Sequence, residues 1–175
     1  MTALIRPDAA RFDEWAAMVA EFRDEQVFPY GSGIQAPVTG TREQFDGLLE
    51  RAALFAAPEA ALPDGYVRSD HYWIVDPAGL IGFLMFRHRL NDFLLHEGGN
   101  IGYSVRPSRR REGHASRALA LGLDRARDIG LDRVLVTCDG DNLASAKTIE
   151  SQGGALEDIR LDQKGVPKRR YWITL

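Results

Sequence analysis

One cysteine, Cys138, occurs in the whole chain. An internal disulfide is therefore excluded, and an apolar core must hold the fold. Cysteine usage leaves the redox compartment undetermined, and a cytoplasmic location is the simpler expectation. Lysine is also scarce: of 22 Lys and Arg residues, only Lys147, Lys164 and Lys168 are lysines. There is no excess of positive charge. The formal net charge is -3, which argues against a protein built mainly to bind nucleic acid. No run of about 18 apolar residues is present, so no membrane span is expected. The opening "MTALIRPDAARFDEW" lacks a basic stretch followed by a long apolar one, so no signal peptide is expected. Four scattered histidines and one cysteine give no metal-ligand spacing, so no metal is expected. Neither G-x-x-x-x-G-K-[ST] nor a G-x-G-x-x-G after a strand is found, which removes the P-loop and the dinucleotide fingerprint.

What remains is an ordinary globular mixture, 45% hydrophobic and 27% charged, in 175 residues that suit a single domain over 1–175. "ALIRP" reads as a short strand stopped by Pro7. Asp8 can cap a helix over 9–26, with Phe12, Trp15, Ala16, Val19 and Phe22 on one face. Thr41 and Gln44 resemble a capping box that opens a second helix, through about Leu54. "HYWIVD" and "LIGFLMFRHRL" read as a hairpin across the turn "DPAG". "NIGYSV" is a further strand, 113–129 a helix closed by Gly130, and "RVLVTC" a buried-type strand. Asn142 can cap a helix over 143–152, and "ALEDIRL" and "RRYWITL" are the last two strands. The order is β-α-α-β-β-β-α-β-α-β-β. The expected fold class is α/β (α+β): a mostly antiparallel twisted sheet of about seven strands with about four helices. Strand 100–105, helix 113–129 and strand 132–138 form its central parallel βαβ crossover.

Within this pattern "SRRREGHASRAL", residues 108–119, concentrates positive charge just before a helix. A helix N-terminus offers free N–H groups and a positive dipole end, so it suits an anion. Gly113 and Ala115 lack bulk and would let phosphates approach the backbone. The same run read as a charge run alone is a solvated basic turn.

"VRPSRRREGHASRAL" resembles the acetyl-coenzyme A loop of the GNAT superfamily of N-acetyltransferases, Arg/Gln-x-x-Gly-x-Gly/Ala, met here as Arg110-x-x-Gly113-x-Ala115. "DNLASAKTIESQGG" is similar to the family's second segment, Asn-x-x-Ser/Ala before a helix ending at Gly. The resemblance implies acetyl-CoA as co-substrate, with its pyrophosphate on the loop's amides and its pantetheine arm paired with a splayed strand at 100–105. The cofactor contacts it implies are Tyr103, Val105, Arg110, Arg111, Gly113, His114, Ala115, Ser116, Asn142 and Ser145. His114 is expected to contribute its backbone rather than its ring. Arg109 has phosphate or only solvent to face. The implied acceptor is a primary amine of a small molecule or peptide, attacked directly in a ternary complex. The resemblance covers 70–160 well and the first seventy residues loosely. It also reaches a group of predicted acetyltransferases without assigned substrates, and it allows a homodimer.

Amine acetylation needs a base for the amine's proton. Glu97, just before the 100–105 strand, is the expected base, with His96 beside it as the second catalytic candidate. His88 and Asn91 are candidates for the acceptor pocket, together with the 27–40 and 56–70 loops and the 89–99 hairpin. Many family members place an acidic tyrosine at the position that is Ile149 here. That departure leaves the proton donor for the leaving thiolate unassigned. It also motivates the alternative reading, a non-catalytic acyl-CoA-binding or regulatory module. Cys138, on a buried strand, reads as a small core residue.

Overall fold

The computed structural model describes residues 1–175. Asp8 accepts from the Ala10 N–H and starts a short 3-10 turn, Ala9–Arg11, that leads into helix α1, Phe12–Asp24. The helix stops two residues short of the expected 26 because Gln26 takes a left-handed φ of 56° and the Val27 N–H turns back to the Phe22 carbonyl. Thr41 caps α2, Arg42–Ala56, by accepting from the Gln44 N–H at 3.3 Å. The expected reciprocal bond is absent: the Gln44 carboxamide accepts from Thr39 and Gly40 instead. Helices α3, His114–Asp128, and α4, Leu143–Ser151, complete the set.

Strands β1 (Ala3–Ile5), β2 (Ser69–Asp76), β3 (Gly79–Arg87), β4 (Ile101–Val105), β5 (Arg133–Asp139), β6 (Ala155–Leu161) and β7 (Pro167–Thr174) form one sheet in the order β1-β2-β3-β4-β5-β7-β6. All neighbours are antiparallel except β4 and β5. The expected architecture and element order are those observed.

Helices cover both faces, and the side-chain alternation of the strands feeds both layers. Trp73 and Phe83 join Trp15, Met18, Phe22, Phe45 and Leu48 of α1 and α2 on one face. Ile74, Leu84, Phe86 and Val136 join Ala118, Leu119, Leu123 and Ile149 of α3 and α4 on the other. β3 is almost continuously apolar for this reason. Gly82 in β3 has a separate constraint: a Cβ there would lie 2.0 Å from the Ser104 carbonyl oxygen of β4.

The β4–β5 pair is registered at a single position, Ile101 opposite Val136. One side chain fixes the closed end of this pair. Asn100 donates its N–H to the Leu135 carbonyl at 2.7 Å, and its Oδ1 accepts from the Leu135 N–H at 2.9 Å. Its Nδ2 donates to the Arg87 carbonyl at 3.1 Å. Asn100 thus clasps β3, β4 and β5 at one end, and β4 and β5 diverge beyond it. Asn100→Ala would leave the buried Leu135 N–H without its acceptor. Its expected cost is about 2–3 kcal/mol, read as a lower urea midpoint at unchanged slope.

The segment before β4 departs from a plain hairpin loop. Residues Leu94–Gly98 form one π-type turn, started by Asn91 Oδ1 accepting from the Leu94 N–H at 2.9 Å and ended by Gly99 at φ 65°. Buried Arg170 of β7 reaches across to the Leu95 carbonyl at 3.0 Å. The turn is therefore fastened to the sheet.

Candidate active site

Two structural facts meet beyond Ile101. The first is an unpaired strand edge. Arg106 N–H bonds the Ile81 carbonyl of β3, so strand alternation turns the amides of Tyr103 and Val105 the other way, toward the gap left by β5. The second is the loop that follows β4. Arg111 at φ 66° and Gly113 at φ 80° are both left-handed, and Gly113 sits at the N-cap of α3 without a side-chain cap. The Arg117 N–H donates to the Gly113 carbonyl at 3.2 Å, one full turn into the helix. The amides of His114, Ala115 and Ser116 precede that first bond and face outward as free donors. Successive amides in this conformation form an anion cradle.

The arginines around the cradle are mostly engaged with acids. Arg106 pairs with Glu21 of α1, and Glu21 also accepts from the Ser108 N–H at 3.0 Å and the Ser108 hydroxyl at 2.9 Å. Burial opposes the charge of Glu21, but these bonds outweigh it and hold the carboxyl below the usual range. Arg109 bridges Asp76 at 2.7 Å and Glu112 at 3.0 Å. Arg110 donates to the Val105 carbonyl at 3.2 Å and to Glu25 at 3.0 Å. Arg111 alone of the three is exposed without a protein partner. The loop's concentration of arginine is thus first a means of fixing the loop to α1 and to the end of β2.

His114 behaves as a structural ring. It is 6% exposed, its Nδ1 lies 2.9 Å from Thr2 Oγ1, and its Nε2 faces Arg109 and Glu112. Only its backbone is available to a ligand. The Ser116 hydroxyl accepts from Gln152 Nε2 at 2.9 Å, which ties α3 to the end of α4.

The gap between β4 and β5 opens a cavity of about 570 Å³. Because the strands diverge, the cavity is lined from both faces of the sheet. Tyr103, Cys138, Asn142 and Ser145 line it on the α4 side. Tyr30, Gly31, Arg87, Gly102, Asp139 and Lys168 line it on the other. Gly31 packs against Gly102 so closely that a Cβ on Gly31 would fall 2.2 Å from the Gly102 carbonyl oxygen. Glu97 and Phe93 enter from the π turn, and Asp162 and Lys164 from the β6–β7 turn.

Three groups in the cavity bear on proton transfer. The Glu97 carboxylate bonds to nothing in the protein; only its backbone carbonyl is used, accepting from Thr137 Oγ1 at 2.8 Å. The Tyr103 hydroxyl lies 3.0 Å from Ser145 Oγ. Burial pushes the Tyr103 phenol up to about 12, with the Ser145 bond pulling the other way. Burial likewise pushes the Cys138 thiol up to about 11, so it stays protonated and is no nucleophile at neutral pH.

The structure brings Glu97, Tyr103, Asn142 and Ser145 together and leaves other candidates outside. His96 is exposed and turned onto the Leu161 carbonyl at 3.0 Å, away from the cavity. The π turn causes this, since it points successive side chains in different directions. His88 contacts Asp70 at 3.2 Å, and Asn91 is spent on the Gly65 carbonyl and the Leu94 N–H. Asn142 caps α4 by accepting from the Ser145 N–H at 3.0 Å and lines the cavity at the same time. Ile149 is wholly buried in the core and presents nothing to a ligand. Sequence reasoning missed Arg87 and the β6–β7 turn. Lysine scarcity was the available signal: two of the chain's three lysines, Lys164 and Lys168, line this cavity.

The sequence profile of the Acetyltransferase (GNAT) domain matches residues 4–155. The chain belongs to the GNAT acetyltransferase family. Solved GNAT structures share its fold. The microcin C7 self-immunity acetyltransferase MccE, solved with acetyl-CoA and AMP, superposes with a TM-score of 0.74 at 16% identity, over 99% of this chain and 92% of that one. The ribosomal L7/L12 alpha-N-protein acetyltransferase RimL, solved with coenzyme A, gives 0.73 at 19% identity over 99% and 94%. Mycobacterium smegmatis RimJ, solved with CoA-disulfide, gives 0.76 at 19% identity over 99% and 81%. A search of curated protein sequences returns no match. In this GNAT chain no group of three or more His, Cys, Asp or Glu is placed to hold a metal ion, and no helix is long and apolar enough to cross a membrane.

Proposed function

We propose that this GNAT chain transfers the acetyl group of acetyl-CoA to a primary amine of a small molecule or peptide, by direct attack in a ternary complex. The observation that carries the reading is continuity. The free amides at the start of α3, the unpaired edge of β4 and the cavity holding Glu97 form one path. That path suits, in order, a pyrophosphate, an amide-bearing arm and a reacting thioester. The presence of acetyl-CoA, coenzyme A and CoA-disulfide in the MccE, RimL and RimJ structures supports the same assignment.

Gly113, His114, Ala115 and Ser116 would hold the pyrophosphate through their backbone, with Arg111 free to add charge. Tyr103 and Val105 would pair through their amides with the arm. The acceptor would enter from the Tyr30–Lys168 face, opposite the α4 side. Glu97 takes the proton that the amine loses as nitrogen bonds the acetyl carbon and the carbon–sulfur bond breaks. A β4 amide faces the developing oxyanion. The thiolate regains a proton from the Tyr103–Ser145 hydroxyl pair, which occupies the role left open by Ile149. The products are the N-acetylated amine and free coenzyme A, so atoms balance without a further reactant.

Tyr103→Phe keeps the ring in place and removes the hydroxyl. Its expected effect is a fall in kcat of about 10- to 100-fold with acetyl-CoA affinity unchanged within a few-fold, measured by thiol release and calorimetry. Unchanged kcat would remove the hydroxyl pair from the proton path. The function itself is tested by titrating acetyl-CoA and then screening primary amines by thiol release. Binding without turnover across a broad panel would favour the non-catalytic acyl-CoA-binding module, the reading to which the buried Ile149 points.

A further inference from the structure

Arg87 is the one enclosed cation of the cavity that no carboxylate compensates. It ends β3 and lies on the acceptor side of the sheet. Its Nη1 donates to the carbonyls of Gly98 and Gly99, each at 3.2 Å. Those two bonds fix one corner of the guanidinium beside the π turn. Nε and Nη2 donate to nothing in the protein. They are not among the sealed, partnerless donors either, unlike Arg51 Nε and His71 Nδ1 nearby, so they open onto the cavity that Arg87 lines.

No carboxylate answers this charge. Burial alone lowers the Arg87 pKa, to about 10, and no acidic group raises it. The contrast with the chain's other enclosed arginine is direct. Arg170 carries two carboxylates, Glu157 at 2.6 Å and Asp158 at 2.7 Å. On the α2 side of Arg87 the surroundings are positive or neutral. Arg51 donates to the Gly33 carbonyl at 3.2 Å, and His71 is held neutral, near 4, by burial first and then by Arg87 and Arg51. Within the cavity, Asp139 and Asp162 are already paired with Lys168. That leaves one free carboxylate, Glu97, and two cations without a carboxylate, the enclosed guanidinium of Arg87 and the exposed ammonium of Lys164 on the β6–β7 turn. The Gly98 carbonyl that holds Arg87 adjoins Glu97 in the chain, and both side chains line the same cavity.

A free carboxylate and a free planar cation lining one cavity complement a molecule with one cation and one anion. We infer that Arg87 is the anion-recognition residue of the acceptor site, and that the accepted amine carries a carboxylate or phosphate group held by the free edge of that guanidinium while Glu97 faces the nitrogen. The inference rests on the acetyl-transfer reading for the amine and on Arg87 itself for the anion. An arginine fork suits planar oxyanions, since two N–H groups can point at two oxygens. A neutral peptide N-terminus would leave the guanidinium buried without a partner, which is costly.

The test has two arms. The first is thiol release with matched amines: ω-amino acids of graded length against their amides, and phosphoethanolamine against ethanolamine. Each pair is run on wild type, Arg87→Gln and Arg87→Lys. The charged-to-neutral ratio of kcat/KM in wild type, divided by that in Arg87→Gln, cancels intrinsic amine reactivity. The expected value is about 10- to 100-fold, with Arg87→Lys between the two. Carboxylate and phosphate pairs report separately which anion is preferred. A ratio near one, or preference for the neutral members in wild type, overturns the inference. The second arm needs no turnover. Phenylglyoxal labelling of the unmodified chain, mapped by peptide mass, is expected to modify Arg87, and the charged compounds but not their amides are expected to slow it several-fold. Equal protection by the amides, or protection by neither, overturns the assignment. Should every amine fail in the first arm, the acetyl-transfer reading fails, and the labelling still decides Arg87. Should Arg87→Gln fail to fold, Arg87→Lys and the labelling carry the decision.

Discussion

Glu97→Gln is expected to lower kcat/KM for acetyl transfer by about 10²- to 10⁴-fold, the range for removing a positioned general base. Glutamine keeps the size of the side chain and cannot take a proton. The fold should tolerate the change, because the carboxylate bonds to nothing in the protein and the backbone carbonyl still receives Thr137. The melting temperature should therefore stay close to wild type. A pH series separates a base from a bystander. As pH approaches the amine's own pKa, more of the amine arrives already neutral, and the gap between variant and wild type should narrow. A gap that stays constant with pH would assign Glu97 to acceptor binding instead. Unchanged activity at neutral pH would remove it from the chemistry.

The second large effect is expected at the cradle. Gly113→Glu should weaken acetyl-CoA binding by about 100-fold or more, since it sets a negative charge against the pyrophosphate in the helix's first turn. The backbone there is left-handed at φ 80°, so any side chain adds strain. Gly113→Ala measures that strain alone. Space is not limiting, because the nearest atom to a new Cβ, Arg117 Nη1, is 3.8 Å away. The alanine variant should lose about 1 kcal/mol of stability and keep its affinity within several-fold. Calorimetric titration of both variants reads the difference. Equal binding by wild type and the glutamate variant would remove the pyrophosphate from this loop.

The architecture was legible because periodicity and punctuation agree along most of the chain. An apolar run and the turn "DPAG" marked β2, a 3.6-residue pattern marked α3, and Gly130 and Gly153 marked helix ends where the structure has φ 80° and 86°. The cradle was legible because its amides belong to a local run, Arg110 to Ser116. The cavity's far wall was not. Tyr30, Arg87 and Lys168 are far apart in sequence, and only the sheet order brings them together. Glu97 was the expected base and His96 the second candidate, neighbours in one loop. One π turn separates them, because its five-residue spacing is set by Leu94 burial and Gly99 rather than by either side chain. The arginine run misled in one respect: charge density suggested a ligand, and two of its three consecutive arginines proved to be used on Glu25, Asp76 and Glu112.

The clasp made by Asn100 has a consequence for how ligand binding should look in a calorimeter. Its Oδ1 and N–H hold the Leu135 N–H and carbonyl at the closed end of the slot. The slot between β4 and β5 is thus formed when the chain folds, not when a ligand arrives. A preorganised slot loses little conformational entropy on association. Acetyl-CoA binding should then show a heat-capacity change no larger than the contacted apolar surface requires, without the extra increment that accompanies ordering of a segment. Loosening the clasp by Asn100→Ala should convert the same association into one coupled to local folding, with a more negative heat-capacity change and a steeper dependence of affinity on urea.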